Sequence, residues 1–267
     1  MWDGLLEAGW LSAVVVAPLL FNEFASPTYE NAPLIRSVAL LVAAAGVAGF
    51  LARWFSHATE RRLSAEVRAL PAAVRWVLLA AVSVALATLL ATGLSVLPSQ
   101  SWWGSYSRRQ GAFTLLAYLT IFLVVAFGLR RRDQLERLIS TMVLTSVPIT
   151  LYAILQAAKL DPYEFPVGLP PYGTLGNSAF LGGYLVMVIP LTTYALTSEW
   201  LRLGPAWASA RTAVLSVALL GQLLALALSS ARSALLGLAV AAVATAVLAG
   251  ASAGRKRVAQ AVTAAGL

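Results

Sequence analysis

Runs of apolar residues, each near the length that crosses a bilayer, recur along this chain and leave it few possible folds. Eight can be marked: about Gly9–Phe21, Ala32–Trp54, Ala73–Leu97, Gly111–Leu129, Leu135–Ala158, Ser178–Leu196, Thr212–Leu228 and Ser233–Gly250. Backbone N–H and C=O groups find no water in hydrocarbon, so a crossing run must satisfy them internally as a helix. Roughly 20 residues suffice to cross; the first run is shorter and extends at one end or the other. Only 11% of the 267 residues are charged and 60% are hydrophobic, against about 25% charged in soluble domains. The expected fold is an all-α, polytopic transmembrane helical bundle of about eight spans, with residues 1–267 as a single transmembrane domain.

The basic residues set its orientation. Arg53, Arg61, Arg62, Arg68 and Arg75 follow the second run, and Arg130, Arg131, Arg132 and Arg137 follow the fourth. Arg202 and Arg211 follow the sixth, and Arg255, Lys256 and Arg257 follow the eighth. Cytoplasmic connections carry the excess of Lys and Arg, so these connections and both termini are expected in the cytoplasm. Residues 55–72 form a cytoplasmic connection, in which SHATERRLSAEVRAL spaces its apolar residues as a surface helix does. Residues 98–110 and 159–177 are then outer-face loops. The net charge of +8 is accounted for by this asymmetry, and no aromatic-studded basic surface points to nucleic acid. Absence of Cys excludes disulfides, thiolate nucleophiles and Cys-held metals. His57 is the single His and lies in a cytoplasmic connection. No metal site and no cofactor are expected. The opening MWDGLLEAGW carries acids where a signal peptide carries basic residues.

Five basic residues break the charge rule by falling on the outer side: Arg36, Arg108, Arg109, Lys159 and Arg232. In SWWGSYSRRQG, Arg108 and Arg109 stand beside Trp102, Trp103 and Tyr106. The aromatic residues suit a membrane interface or stacking on sugar rings. The arginines either snorkel to lipid phosphates or grip a diphosphate in a bidentate fork. In LSSARSAL, Arg232 sits between two apolar runs. It either reaches water from a serine-capped turn or holds a ligand, since Arg at a membrane edge is costly and usually has a partner.

The stretch PPYGTLGNSAFLGGYL opens the sixth run. Gly173 and Gly176 permit positive φ, and Asn177 or Ser178 can cap the helix. Gly176, Asn177 and Ser178 thus form a helix-N-terminal turn suited to an anion. Gly182 and Gly183 would let another helix approach. The stretch reads equally as a spacer between spans. Asp161 and Glu164 in the preceding loop are either candidate bases or solvated carboxylates. The catalytic residue itself is unknown from the sequence.

GSYSRRQG, GTLGNSAFLGGYL and SSARSALLGL, in that order over about Gly104–Gly237, resemble the O-antigen ligase / O-antigen polymerase superfamily of membrane proteins. The resemblance implies a glycosyltransferase of cell-envelope and lipopolysaccharide biosynthesis. It implies a multi-pass protein of the bacterial inner (cytoplasmic) membrane that transfers glycan from undecaprenyl diphosphate to an acceptor at the outer face. It further implies that Arg232 and Arg109, with Arg108 beside it, hold the diphosphate, and that a large periplasmic loop supplies a catalytic His. That loop is not in this sequence, so the chain is expected to be an N-terminal portion or a shortened relative, inactive alone. The implied partners are the lipid-linked oligosaccharide, a glycan acceptor, the bilayer and a possible membrane-protein partner. A non-catalytic subunit of a larger complex is the alternative; a small-molecule carrier ranks behind it, because no paired mid-span breaks are present.

Overall fold

A computed structural model describes residues 2–20, 71–105, 111–129, 131–161, 168–203 and 210–264. The second apolar run, the helix expected at residues 56–70, Arg36, His57, Glu164, Tyr106, Arg108 and Arg109 lie outside the described residues. The described residues are helical throughout, without a strand. In chain order the helices are α1 (Trp2–Leu19), α2 (Ala72–Gly93), α3 (Pro98–Trp103), α4 (Ala112–Gly128), α5 (Arg132–Ala157), a 3-10 turn (Gly173–Leu175), α6 (Ser178–Leu203), α7 (Ala210–Leu228) and α8 (Arg232–Ala264). Among them α2, α5, α6 and α7 are long and apolar enough to cross a membrane, and α1, α4 and α8 carry shorter apolar segments. The 22 residues of α2 rise about 33 Å, which matches a hydrocarbon core about 30 Å thick.

Two expectations need revision. Residues 98–103 are not loop. Pro98 takes the first position of α3, where its missing N–H costs nothing. The last helix does not stop near Gly250 but runs to Ala264, through Arg255–Arg257.

The chain divides into two compact units, Met1–Ile149 and Thr150–Leu267, and the boundary falls within α5. In the first unit α4 packs against α1, α2 and α3. Trp10 is buried because Gly128 offers no side chain; a Cβ there would run into the indole ring. One turn earlier, Glu7 accepts from the Arg137 guanidinium through both oxygens, the Nη2 bond at 3.0 Å. Arg137 also bonds Asp133 at 3.0 Å, four residues back on α5. Gln134 reaches back to the Arg131 N–H at 3.1 Å, as the third residue of a capping box does, and donates to Glu7 at 3.4 Å. The start of α1 and the start of α5 therefore lie at the same end of this unit.

In the second unit α6 packs against both α7 and α8. Its inner face is Leu181, Leu185, Val188 and Thr192, all fully buried, at the spacing of one helix stripe. The polarity is inverted relative to a soluble protein. On α7, Gln222 is 0% exposed while Val217 and Leu220 are 69% and 67% exposed. On α2 no residue is buried, and Trp76 is 71% exposed. Apolar surface on this scale has a natural solvent in lipid, and buried polar side chains tie membrane helices together. Pro148 and Pro190 lie inside α5 and α6. Thr192 and Thr193, just past Pro190, donate to the carbonyls of Val188 and Ile189 at 3.1 and 2.8 Å.

Candidate functional site

The site builds from the connection between α7 and α8. Ser229 is fully buried; its hydroxyl donates to the Leu226 carbonyl at 2.8 Å and accepts from the Ala231 N–H at 3.4 Å. Ser230 takes φ 55°, a left-handed value that non-Gly residues seldom adopt, and this lets the chain reverse in a few residues. Arg232 follows as the first residue of α8 and is exposed. No carboxylate pairs with it among the described residues.

The N-terminus of α6 lies next to it. Gly182, one turn into α6, faces Ala231 and Ala234; a Cβ at Gly182 would come within 2.7 and 2.8 Å of theirs. The two backbones approach because all three residues are small. Gly183 has no neighbour there, so only the first glycine of the pair serves the approach. Of the two candidate caps, Asn177 does the capping: its side-chain oxygen accepts from the Ala179 N–H at 2.8 Å. Gly176 is at φ 72° and Gly173 at φ 61°, so both occupy the backbone region that favours glycine. The structure thus sets the start of α8, which carries Arg232, against the first turns of α6.

That turn is anchored from α5. Gln156 is 2% exposed. Its carbonyl oxygen accepts from the N–H groups of Tyr172 and Gly173 at 3.1 and 2.8 Å, and its amide donates to the Gly173 carbonyl at 3.4 Å. The Tyr152 hydroxyl donates to the Asp161 carboxylate at 3.2 Å, which makes Asp161 a fastening for the start of the loop. Burial, with the charge of Asp161 added, pushes the Tyr172 phenol above its ordinary pKa. Sequence reading passed over Gln156 and Tyr152. The available signal was a lone amide near the end of an otherwise apolar helix.

Trp102 and Trp103 lie on α3 and lean on Phe113 of α4, with ring centroids 6.1 and 5.4 Å apart. Trp103 keeps 50% of its surface exposed. These residues belong to the first unit and Arg232 to the second. No group of three or more His, Asp or Glu stands ready for a metal among the described residues.

A guanidinium beside a helix N-terminus presents positive charge and directed donors, the combination that retains a phosphate-like anion. Neither group is a base. The arrangement suits anion binding and does not by itself move a proton. Among the described residues the chain is all-helical, with several helices apolar enough for a membrane protein. Comparison with protein-family models, curated proteins and solved structures returns no match.

Proposed function

We propose that this chain is the membrane portion of a glycan ligase or polymerase of O-antigen ligase type, acting on undecaprenyl diphosphate glycan at the outer face of a bacterial inner membrane. The observation that carries the reading is the juxtaposition of exposed Arg232 with the capped N-terminus of α6. The order of GSYSRRQG, GTLGNSAFLGGYL and SSARSALLGL adds to it.

In the transfer an acceptor hydroxyl attacks the anomeric carbon. The bond from that carbon to the diphosphate oxygen breaks, and its electron pair leaves with the diphosphate. Arg232 offsets the charge that develops there, while Gly176, Asn177 and Ser178 present backbone donors; the resemblance alone adds Arg109 and Arg108 to the diphosphate role. Trp102, Trp103 and Tyr106 meet the glycan or the lipid interface. The hydroxyl proton goes to a general base, a role that neither Arg232 nor the turn at the start of α6 fills. The reading includes eight spans with both termini in the cytoplasm. The joining of Glu7 to Arg137 supports it, by setting the N-terminal helix beside the Arg-rich start of α5.

Arg232→Ala in the complete cellular system is expected to abolish glycan transfer while the protein still reaches the membrane. Full transfer by that variant would overturn the diphosphate role. The second reading, a non-catalytic subunit, draws on the apolar surface of α2, none of whose residues is buried; it requires a stoichiometric partner that co-purifies in mild detergent.

A further inference from the structure

Between α2, α3 and α4 the first unit holds an open cavity of about 570 Å³, within the range of small-molecule sites, about 300–1,000 Å³. Five hydroxyl-bearing side chains line it: Thr88, Thr92, Ser101, Thr114 and Tyr118. None of the described residues that line it is charged. Its rim is formed where the backbone of Gly111 touches that of Trp102 and Gly104, an approach that leaves no room for a side chain.

The hydroxyl protons decide what fits. Thr88 donates to the Val84 carbonyl and Thr92 to the Thr88 carbonyl, each at 2.8 Å, and Ser101 donates to the Ser95 hydroxyl at 2.6 Å. With these protons committed, the three oxygens turn lone pairs outward. A wall of acceptors, with no cation among the described lining residues, disfavours phosphate and carboxylate. An acyl or polyprenyl tail would leave the remaining lone pairs of these oxygens unused, which is less favourable than pairing them. A neutral ligand rich in O–H donors satisfies them, and the ring of Tyr118, 46% exposed, offers an apolar face of the kind a sugar ring packs against.

We propose that this cavity is a binding site for a neutral sugar. The assignment rests on the lining alone and not on Arg232, although a sugar site would serve the glycan reading above.

The chain has no Cys, so a single introduced thiol reports on one position. In the full chain in lipid nanodiscs, maleimide labelling of Thr92→Cys is expected to slow several-fold with N-acetylglucosamine or lactose, and not with glucose 6-phosphate. Leu94→Cys, 86% exposed beyond the end of α2, should label at the same rate with or without sugar. Protection read at Ser101→Cys should be lost when Thr88→Val and Thr92→Val are added, since both swaps keep shape and remove only the hydroxyl. Unchanged labelling at Thr92→Cys with the neutral sugars overturns the proposal. So does equal slowing at Leu94→Cys, or slowing by a polyprenol in the disc without sugar. Arg232→Ala should leave the protection intact, so sugar binding and glycan transfer fail separately.

Discussion

Two arginines near helix starts meet opposite fates. Arg137, on the second turn of α5, is held by Glu7 and Asp133. Arg232, the first residue of α8, has no carboxylate partner among the described residues and faces outward. The first joins two helices; the second remains available for a ligand. Charge and position in the sequence do not separate them, because both follow apolar runs and both sit among residues that favour helix starts. The partner separates them, and the partner of Arg137 lies 130 residues away in the chain.

The strongest challenge to this contrast is to remove each guanidinium in turn. Arg232→Ala should weaken retention of a polyprenyl diphosphate by about tenfold or more, since a hydrogen bond to a charged group contributes about 1.5–3 kcal/mol. Its thermal unfolding in detergent should stay unchanged. Arg232→Lys should recover only part of the binding, because an ammonium lacks the planar fork. A large loss of thermal stability in Arg232→Ala would show Arg232 to be as structural as Arg137.

Removing the anchor of the α6 turn should come next. Gln156→Leu leaves two buried N–H groups without their acceptor, and one such group costs about 1–3 kcal/mol. Thermal unfolding should fall, and ligand retention should fall with it. Retained binding would mean that Arg232 acts without the turn.

Arg137→Ala should lower stability by less than Gln156→Leu does, because its side chain is 46% exposed and its ion pair with Glu7, 11% exposed, is partly screened by solvent. Thermal unfolding should record the loss while diphosphate binding stays intact, the reverse of Arg232→Ala.

The smallest effect is alkaline. A phenol with a raised pKa holds its proton longer in the folded state, so the fold binds more protons than the unfolded chain above the ordinary value near 10. Stability from Tyr172 is therefore complete below that pH and is lost as pH rises through it. Tyr172→Phe should flatten the alkaline limb of a stability–pH curve; an unaltered limb would assign it elsewhere.

The helices were legible because hydrocarbon demands one conformation over a fixed length, and α2, α4 and α7 begin and end within a few residues of their apolar runs. The misplaced end of α8 has a physical reason. Hydropathy marks the edge of the bilayer, and a helix with no Pro to end it can continue past that edge, here across Gly250 and Gly254 and through Arg255–Arg257. Of the candidate site, the cap at Asn177 and the positive φ of Gly173 and Gly176 were readable, since each follows from local backbone chemistry. Gln156, Tyr152 and the pairing of Glu7 with Arg137 were not, because each depends on which helix stands beside which.

Gly182 carries a consequence for genetics. It touches no ligand in any reading offered here, and it sits 50 positions from Arg232 in the chain. Yet one added carbon would push against Ala231 and Ala234, on either side of that arginine. A screen for loss of function should return Gly182 beside Arg232, and a list of inactivating substitutions would then name a spacer as though it were a participant.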